Sequence, residues 1–553
     1  MNNNLLILAS GLGERVYMFT YAGALPKCML SVGNETCIEA IVCNNCTAYD
    51  NVYVVVHKQH KAALQALFTA KHITSVHIID IDLQNSPMDS LRAAFACIPN
   101  YDMSNWTITW SDIITDLSAF ANVTRNTIVT DNKYCHRNIA FIGENGIEVH
   151  KTYSMTGNVP GIFSILGTAL TEVLACTDYA DFDIAMSRTV PTMLSRISTA
   201  ITDIGDYAKY TAYMLKRDTS AVCRYFNDIS FDKHVVYKKP LTEQGARLHN
   251  IEVAYYKAFS KDNALAKLIA YNPATKLMTL ERIKGKTCQS YVDTKPDKQS
   301  KLTTVNNLLA KFATAVKSLH DLPVENCKDT VDDCKAALYA ELYDGIKQRV
   351  EPCKSMIDAV LAAYDDIKTV DDMPICSYDN LLEAVKQWLD AKIAENYFDF
   401  GIVHGDPNTD NTMVETVKMT IDGKNKSVEQ IRFVDPRGYF GKLRTLGYGP
   451  KQYDYAKFVY GFSGYSRFNR AEYIESFYDT SKHNLMFFIG KAEHNGITDV
   501  DLLKMNIDTD IKVLVAIIWT RLTSYIINDP MKSVAAYLHG NALLTELLNI
   551  KPL

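Results

Sequence analysis

Across residues 1–217, short Val/Ile-rich runs at 5–9, 52–56, 76–81 and 106–110 alternate with stretches of helical periodicity. Strands separated by helices predict a largely parallel sheet with helices on both faces. Glu144-Asn145-Gly146, between β-rich runs at 138–142 and 147–151, predicts a hairpin appended to that sheet. Near 215–220 the pattern changes. Two β-rich runs, 221–226 and 234–239, precede a helix carrying Glu252 and Tyr255-Tyr256, and a strand pair follows at 268–271 and 277–280, joined through Asn272-Pro273. From 301 onward helical periodicity dominates, with short strands expected around His404 and Asp435. The apolar run 513–519, flanked by Lys512 and Arg521, falls far short of the roughly 20 residues of a membrane span and reads as a core helix.

A chain of 553 residues is too long for one core and predicts several structural units. Hydrophobic content of 47% with 22% charged residues marks a globular chain. Lys+Arg 58 against Asp+Glu 63, a net charge of −5, gives no general attraction to nucleic acid or to an anionic membrane. Small molecules are therefore the expected partners, with a homo-oligomer left open. The first residues lack the basic flank and cleavage site of a secretory signal, and thirteen scattered cysteines suit reduced thiols, so a cytoplasmic location is expected. The pair Cys43 and Cys46 reads as a helix face, and the acidic stretch 329–372 as a solvated helical surface.

The chemistry-bearing residues fall into two groups. In the rear half, His404-Gly405-Asp406 is followed by Asn411 and, after a strand-like run, by Asp435 in Phe433-Val434-Asp435-Pro436-Arg437-Gly438. Two carboxylates and a carboxamide in that order suit phosphoryl transfer, with one carboxylate orienting a hydroxyl and the other two groups holding Mg²⁺ against nucleotide phosphates. The order resembles the aminoglycoside phosphotransferase and choline kinase family. That resemblance implies Asp406 as catalytic carboxylate, Asn411 and Asp435 as Mg²⁺ ligands, and Lys238 held by Glu252 at the ATP phosphates, with Lys239 as the alternative lysine. It also implies a hinge at 280–285, including Glu281, that meets the adenine. Asp454, in Tyr453-Asp454-Tyr455-Ala456-Lys457, is expected to support the catalytic loop. Tyr460, Tyr465 and Tyr473 read as packing residues, with a place in an acceptor pocket as the alternative. Two departures stand out: the first two strands are joined by Phe226-Asn227-Asp228-Ile229 in place of a glycine-rich loop, and Arg437-Gly438 stand where choline kinases carry acidic and aromatic residues.

In the front half, Ala9-Ser10-Gly11-Leu12-Gly13-Glu14-Arg15 follows the first strand, with Leu25-Pro26-Lys27 after a spacer. Glycines there let the backbone approach a triphosphate, and Arg15 and Lys27 would neutralise charge as pyrophosphate departs. The pattern resembles the nucleotidyltransferases that make NDP-sugars and CDP-alcohols. By that resemblance Asp112 and Asp203, in Thr202-Asp203-Ile204-Gly205-Asp206, are the Mg²⁺ ligands, Gly11 and Gly13 meet the triphosphate, Gln84 and the residues up to 91 meet the base, and 156–161 faces the acceptor. Glu14 and Cys28 depart from that family's usual Ser/Thr and Pro.

Together these imply an α/β protein: a Rossmann-like, mixed-sheet nucleotidyltransferase domain over 1–217, then a two-lobed protein-kinase-like α+β domain over 218–553, with a small lobe over about 218–290 and a helical large lobe over about 291–553. The expected function is a bifunctional enzyme that uses Mg²⁺, ATP and a second NTP, with CTP the first choice. The rivals are a chain in which only the kinase is active and the front serves as scaffold, and a nucleotide-sensing regulator.

Overall fold

The computed structural model describes all residues except 132–137, 144–145, 152–156, 198–199, 217–226, 260, 365, 422–423, 491–496 and 498–500. The front half is built on a seven-stranded sheet in the order Met193–Arg196, Thr127–Thr130, Ile162–Ile165, Asn105–Trp110, Asn3–Ala9, Asn51–His57, Val76–Ile81. Asn3–Ala9 sits near its centre, parallel to both neighbours, and its apolar residues are buried on both faces, as a helix-covered parallel strand requires. Ile162–Ile165 runs antiparallel between two strands and makes the sheet mixed. Asn138–Gly143 and Gly146–Lys151 pair as an antiparallel appendage, with turn residues 144 and 145 outside the described residues.

The rear half opens on a four-stranded antiparallel sheet in the order Asn227–Phe231, Val235–Pro240, Leu277–Glu281, Leu268–Asn272, backed by the helix Glu243–Phe259. Here the sequence reading needs correction. Asn227-Asp228-Ile229, expected as the connecting loop, belongs to the first strand of this sheet, and the expected strand at 221–226 and the boundary at 217/218 lie outside the described residues. The helical large lobe follows, but it also carries the long strands Thr412–Ile421 and Lys424–Phe433 and the pair Ile474–Asp479 and Asn484–Ile489. Their alternation is partly masked by polar residues on exposed faces, which hid them from a periodicity reading. At the centre of the lobe lie Thr509–Arg521 and Pro530–Leu547, helices buried around almost their whole circumference. No helix among the described residues is long and apolar enough to cross a membrane.

The expected fold class stands: a mixed α/β front half followed by a two-lobed α+β half. The halves pack against each other. Tyr21 donates its hydroxyl to the Met531 carbonyl at 2.6 Å, Ser476 Oγ donates to the Met18 carbonyl at 3.3 Å, and the Phe19 and Tyr473 rings meet edge-on at 5.4 Å. Of the three tyrosines read as packing residues, Tyr473 packs at this junction.

Candidate active sites

The front cavity, of about 470 Å³, opens at the carboxyl end of Asn3–Ala9. Parallel strands gather chain ends there, where loops from several strands converge. Gly11, Gly13, Arg15, Lys27, Gln84 and Asp112 all line it. Gly13 has φ +74°, and a Cβ there would come within 3.2 Å of the Lys27 Cβ, so glycine serves both the turn and the close approach. Gly13 leads into the short helical segment Glu14–Phe19, which leaves Glu14 exposed and outside the cavity lining.

Lys27 Nζ lies 2.7 Å from Asp112 Oδ2, and Asp112 is buried just past the strand Asn105–Trp110. Asp203 is not among the lining residues, yet its strand, Thr202–Asp203, pairs with Ile113–Ile114 and sets it beside Asp112. Both carboxylates converge on Gly205, where a Cβ would stand 2.4 Å from Asp112 Oδ2 and 3.0 Å from Asp203 Oδ1. Two convergent carboxylates form an all-oxygen donor set that fits a hard divalent cation such as Mg²⁺.

Lys209 was not anticipated. Its Nζ lies 2.8 Å from Asp203 Oδ2, and it sits in the first turn of the helix Tyr207–Leu215, capped by Asp206. The i to i+3 spacing of Asp206 and Lys209 was the available signal. Across the cavity Asn138 donates to both oxygens of Asp183, at 3.0 and 2.8 Å. Of the expected acceptor segment, residue 156 lies outside the described residues, while Val159 and Gly161 line the cavity.

The rear cavity, of about 210 Å³, lies between the four-stranded sheet and the helical lobe. Strand alternation turns Lys238 inward and Lys239 out. Lys238 is 4% exposed, with Nζ 2.7 Å from Glu252 Oε2 and hydrogen-bonded to Asp435 Oδ1. Burial alone would push this ammonium down, but the Asp435 and Glu252 charges outweigh it and hold the lysine protonated. His249 beside it is pushed down to about 4 by burial and by Lys238, and stays neutral.

The loop after Phe400–Ile402 is fixed from beneath by Asp454, which accepts from the His404 N–H at 2.8 Å, the Gly405 N–H at 2.7 Å and His320 Nε2 at 3.0 Å. Gly405 takes φ +83°, a conformation that favours glycine. Asp406 N–H donates to His404 Nδ1, so the ring's proton sits on Nε2 and donates to the Val434 carbonyl at 3.1 Å. His404 therefore braces the loop as a neutral imidazole, its pKa lowered by burial. Asp406 lines the cavity with Oδ1 3.1 Å from Lys457 Nζ, a partner that sequence reasoning missed. Asn411 donates Nδ2 to the Asp406 carbonyl at 2.9 Å, which turns its Oδ1 to the other side. An amide oxygen and the Asp435 carboxylate suit Mg²⁺ as hard donors.

Not every expected residue reaches this cavity. Glu281 does not line it, and its carboxylate pairs with Arg432 at 2.8 Å. Tyr460 and Tyr465, read first as packing residues, do both: their rings stack at 4.5 Å and line the cavity. The acidic stretch 329–372 also needs correction. Glu341 is buried there, on an irregular helical turn, and its Oε1 accepts from Arg437 Nη1 and Arg521 Nη2, each at 2.8 Å. The two arginines, Arg521 first, hold its carboxyl well below the usual range despite burial. Sequence separations of 96 and 180 residues left no local signal for this cluster.

No protein-family model matches the chain, and no curated protein matches it. Solved structures similar to it fall into two groups. The inositol-1-phosphate CTP transferase from T. maritima is 12% identical, covering 39% of this chain and 94% of its own, with a TM-score of 0.31. A choline/ethanolamine kinase family protein from Mesorhizobium loti is 12% identical, covering 62% of this chain and 97% of its own, with a TM-score of 0.32. The aminoglycoside phosphotransferase APH(2'')-Ib, in its ADP-bound form, is also 12% identical, covering 43% and 68%, with a TM-score of 0.27.

Proposed function

We propose that the chain is a bifunctional activating enzyme of two domains, 1–217 and 218–553. The rear domain transfers the γ-phosphoryl of ATP to a hydroxyl of a small metabolite. The front domain couples the resulting phosphate monoester to an NTP, CTP first, giving an NDP-activated sugar, polyol or amino alcohol plus pyrophosphate. The observation that carries this reading is Lys238, buried between Glu252 and Asp435 in the cavity that Asp406 lines.

In the rear site Lys238 would hold the α/β-phosphates, while Asp406, steadied by Lys457, accepts a hydrogen bond from the acceptor hydroxyl and takes its proton as the hydroxyl oxygen attacks phosphorus. Asn411 and Asp435 would hold Mg²⁺, which supplies charge neutralisation at the phosphates. In the front site the backbone around Gly11 and Gly13 would cradle the triphosphate. Arg15 and Lys27 would offset the charge of the departing pyrophosphate as a monoester oxygen attacks the α-phosphorus. Asp112 and Asp203 would hold Mg²⁺ there. The exposed position of Glu14 supports an active front domain, because its charge is kept out of the cavity.

The test uses the full chain with Mg²⁺. ADP formation from ATP, across a panel of acceptors, should be lost in Asp406→Asn and kept in Asp112→Asn. Pyrophosphate release from CTP, UTP, GTP or dTTP with each phosphorylated product should show the reverse. Pyrophosphate release that survives loss of Asp112 would sink the front assignment.

A further inference from the structure

From the charge of the rear cavity we infer that its acceptor is a hydroxylated anion, a small molecule bearing a carboxylate or phosphate besides the hydroxyl that is phosphorylated. This rests on the phosphotransfer reading and narrows it.

Five cationic side chains line the cavity: Lys238, Lys457, Arg349, Arg437 and Arg521. Two of them serve the phosphoryl end, Lys238 against Glu252 and Asp435, and Lys457 against Asp406. These three acids are the only carboxylates among the described lining residues. The other three cations are guanidiniums, and the one carboxylate ion-paired with any of them among the described residues, Glu341, is not part of the cavity lining. It gives a single oxygen to both Arg437 and Arg521. Arg349 has no carboxylate partner among the described residues, and its guanidinium lies over the Tyr525 ring at 5.5 Å. Among the described residues, one carboxylate thus pairs with two of the three guanidiniums, and the third has none.

The forks are also held in place. Arg437 lies over the Tyr439 ring at 4.3 Å, and Arg521 Nη1 is 3.4 Å from the Tyr453 hydroxyl. Each guanidinium carries five N–H donors, so sharing one oxygen of Glu341 leaves both arginines donors for a further acceptor. Planar forks steadied by tyrosine rings, or in Arg521 by a tyrosine hydroxyl, match a carboxylate or phosphate by paired, charge-assisted hydrogen bonds. An ammonium head group would meet repulsion at the same place, although the tyrosines alone could have formed a cage for it. Lys457, 5.5 Å from the Tyr460 ring and 5.8 Å from that of Tyr453, links this end to Asp406, so an acceptor anchored by its anion could present its hydroxyl to the carboxylate.

The full chain, with ATP and Mg²⁺, is to be assayed for ADP release with three groups of acceptor: hydroxy acids such as glycerate, tartrate and gluconate; phosphates such as glycerol phosphate and hexose phosphates; and choline, ethanolamine, glycerol and free hexoses. One of the first two groups should give the highest kcat/KM and tell carboxylate from phosphate. Arg349→Gln, which removes no ion pair, should raise the acceptor KM about tenfold or more with the ATP KM unchanged. Arg437→Gln should do the same if it folds. A cationic or neutral acceptor that outperforms every anion, or no stimulation and no thermal stabilisation by any anion while ATP still binds, would overturn the inference. So would a rise in the ATP KM of Arg349→Gln with the acceptor KM unmoved, which would assign the arginines to the nucleotide. Failure of ATP to bind at all, or binding unaffected by Lys238→Met, would instead bring down the phosphotransfer reading itself.

Discussion

In the front cavity most of the acidic and basic residues sit at strand ends and in short loops, and the glycines bring backbone N–H groups to the surface; Lys27 meets Asp112 just past a strand of the main sheet, and Lys209, in a first helical turn, meets Asp203 on the two-stranded sheet beside it. In the rear cavity the charge is carried by side chains drawn from distant parts of the chain: a strand lysine, a helix glutamate, a loop aspartate, and behind them Glu341 with Arg437 and Arg521. The front site is held by backbone topology. The rear site is held by buried ion pairs, which cost several kcal/mol per ion to desolvate and leave large penalties when broken.

The strongest way to break this comparison is the pair of carboxylate variants. Asp406→Asn should cut ADP formation by about a thousandfold, within the range of a lost general base, and leave pyrophosphate release unchanged. Asp112→Asn should do the opposite. Loss of both activities in either variant would mean the two sites do not act separately.

Next in size is Glu341→Gln, which leaves the part-buried Arg437 and Arg521 without the carboxylate they share. A loss of about 3–5 kcal/mol is expected, read from the urea midpoint of the transition that includes the rear half. A loss below about 1 kcal/mol would show that water reaches the pair and that the rear site is less dependent on buried charge than its geometry implies.

A pH series sharpens the same point. Asp371, part-buried at a turn with φ 48°, its carboxylate enclosed and accepting from the Phe487 N–H at 2.9 Å, is pushed up to about 7 by desolvation, from an ordinary value of 3.8. The folded state therefore holds this proton more tightly than the unfolded state. The contribution is full below about 3.8 and is lost as pH rises through about 7, a swing on the order of a few kcal/mol. Asp371→Asn should flatten the fall in stability between pH 5 and pH 8, measured by urea unfolding of variant and wild type side by side.

The smallest effect is expected where the halves touch. Tyr207 donates to Glu475 at 2.7 Å across the junction, one residue from Asp206. Tyr207→Phe should cost about 1 kcal/mol or less, as one exposed hydrogen bond does, with pyrophosphate release within about twofold of wild type. A tenfold drop would reveal that the rear half positions the segment that carries Asp203 and Asp206.

The front site was largely legible in the sequence because its residues lie beside strand ends and tight turns, where a glycine or an acid at a fixed offset has a local reason. Gly13, Lys27 and Asp112 were singled out through the resemblance to the nucleotidyltransferase signature, and they line one cavity. Lys209 escaped notice although its offset from Asp206 was visible, because a lysine in a first helical turn is unremarkable until its partner's strand is known. In the rear half, Asp406, Lys238 and Glu252 come together as their order along the chain suggested. Glu281 does not join them, since its carboxylate is drawn to Arg432 on a strand that the helical pattern concealed. Lys457, Arg349, Arg521 and Glu341 had no local signature.

The sequence by itself determined the alternation of elements, the two-part α/β and α+β architecture and the order of both sets of acidic residues, because strand burial, helical periodicity and loop chemistry are properties of neighbouring residues. Tertiary structure alone decided which lysine faces inward, which acid each cation meets and which charged side chains share the rear cavity. Those depend on contacts between residues as far as 197 positions apart, and a Coulomb interaction is set by distance in space, not by distance along the chain.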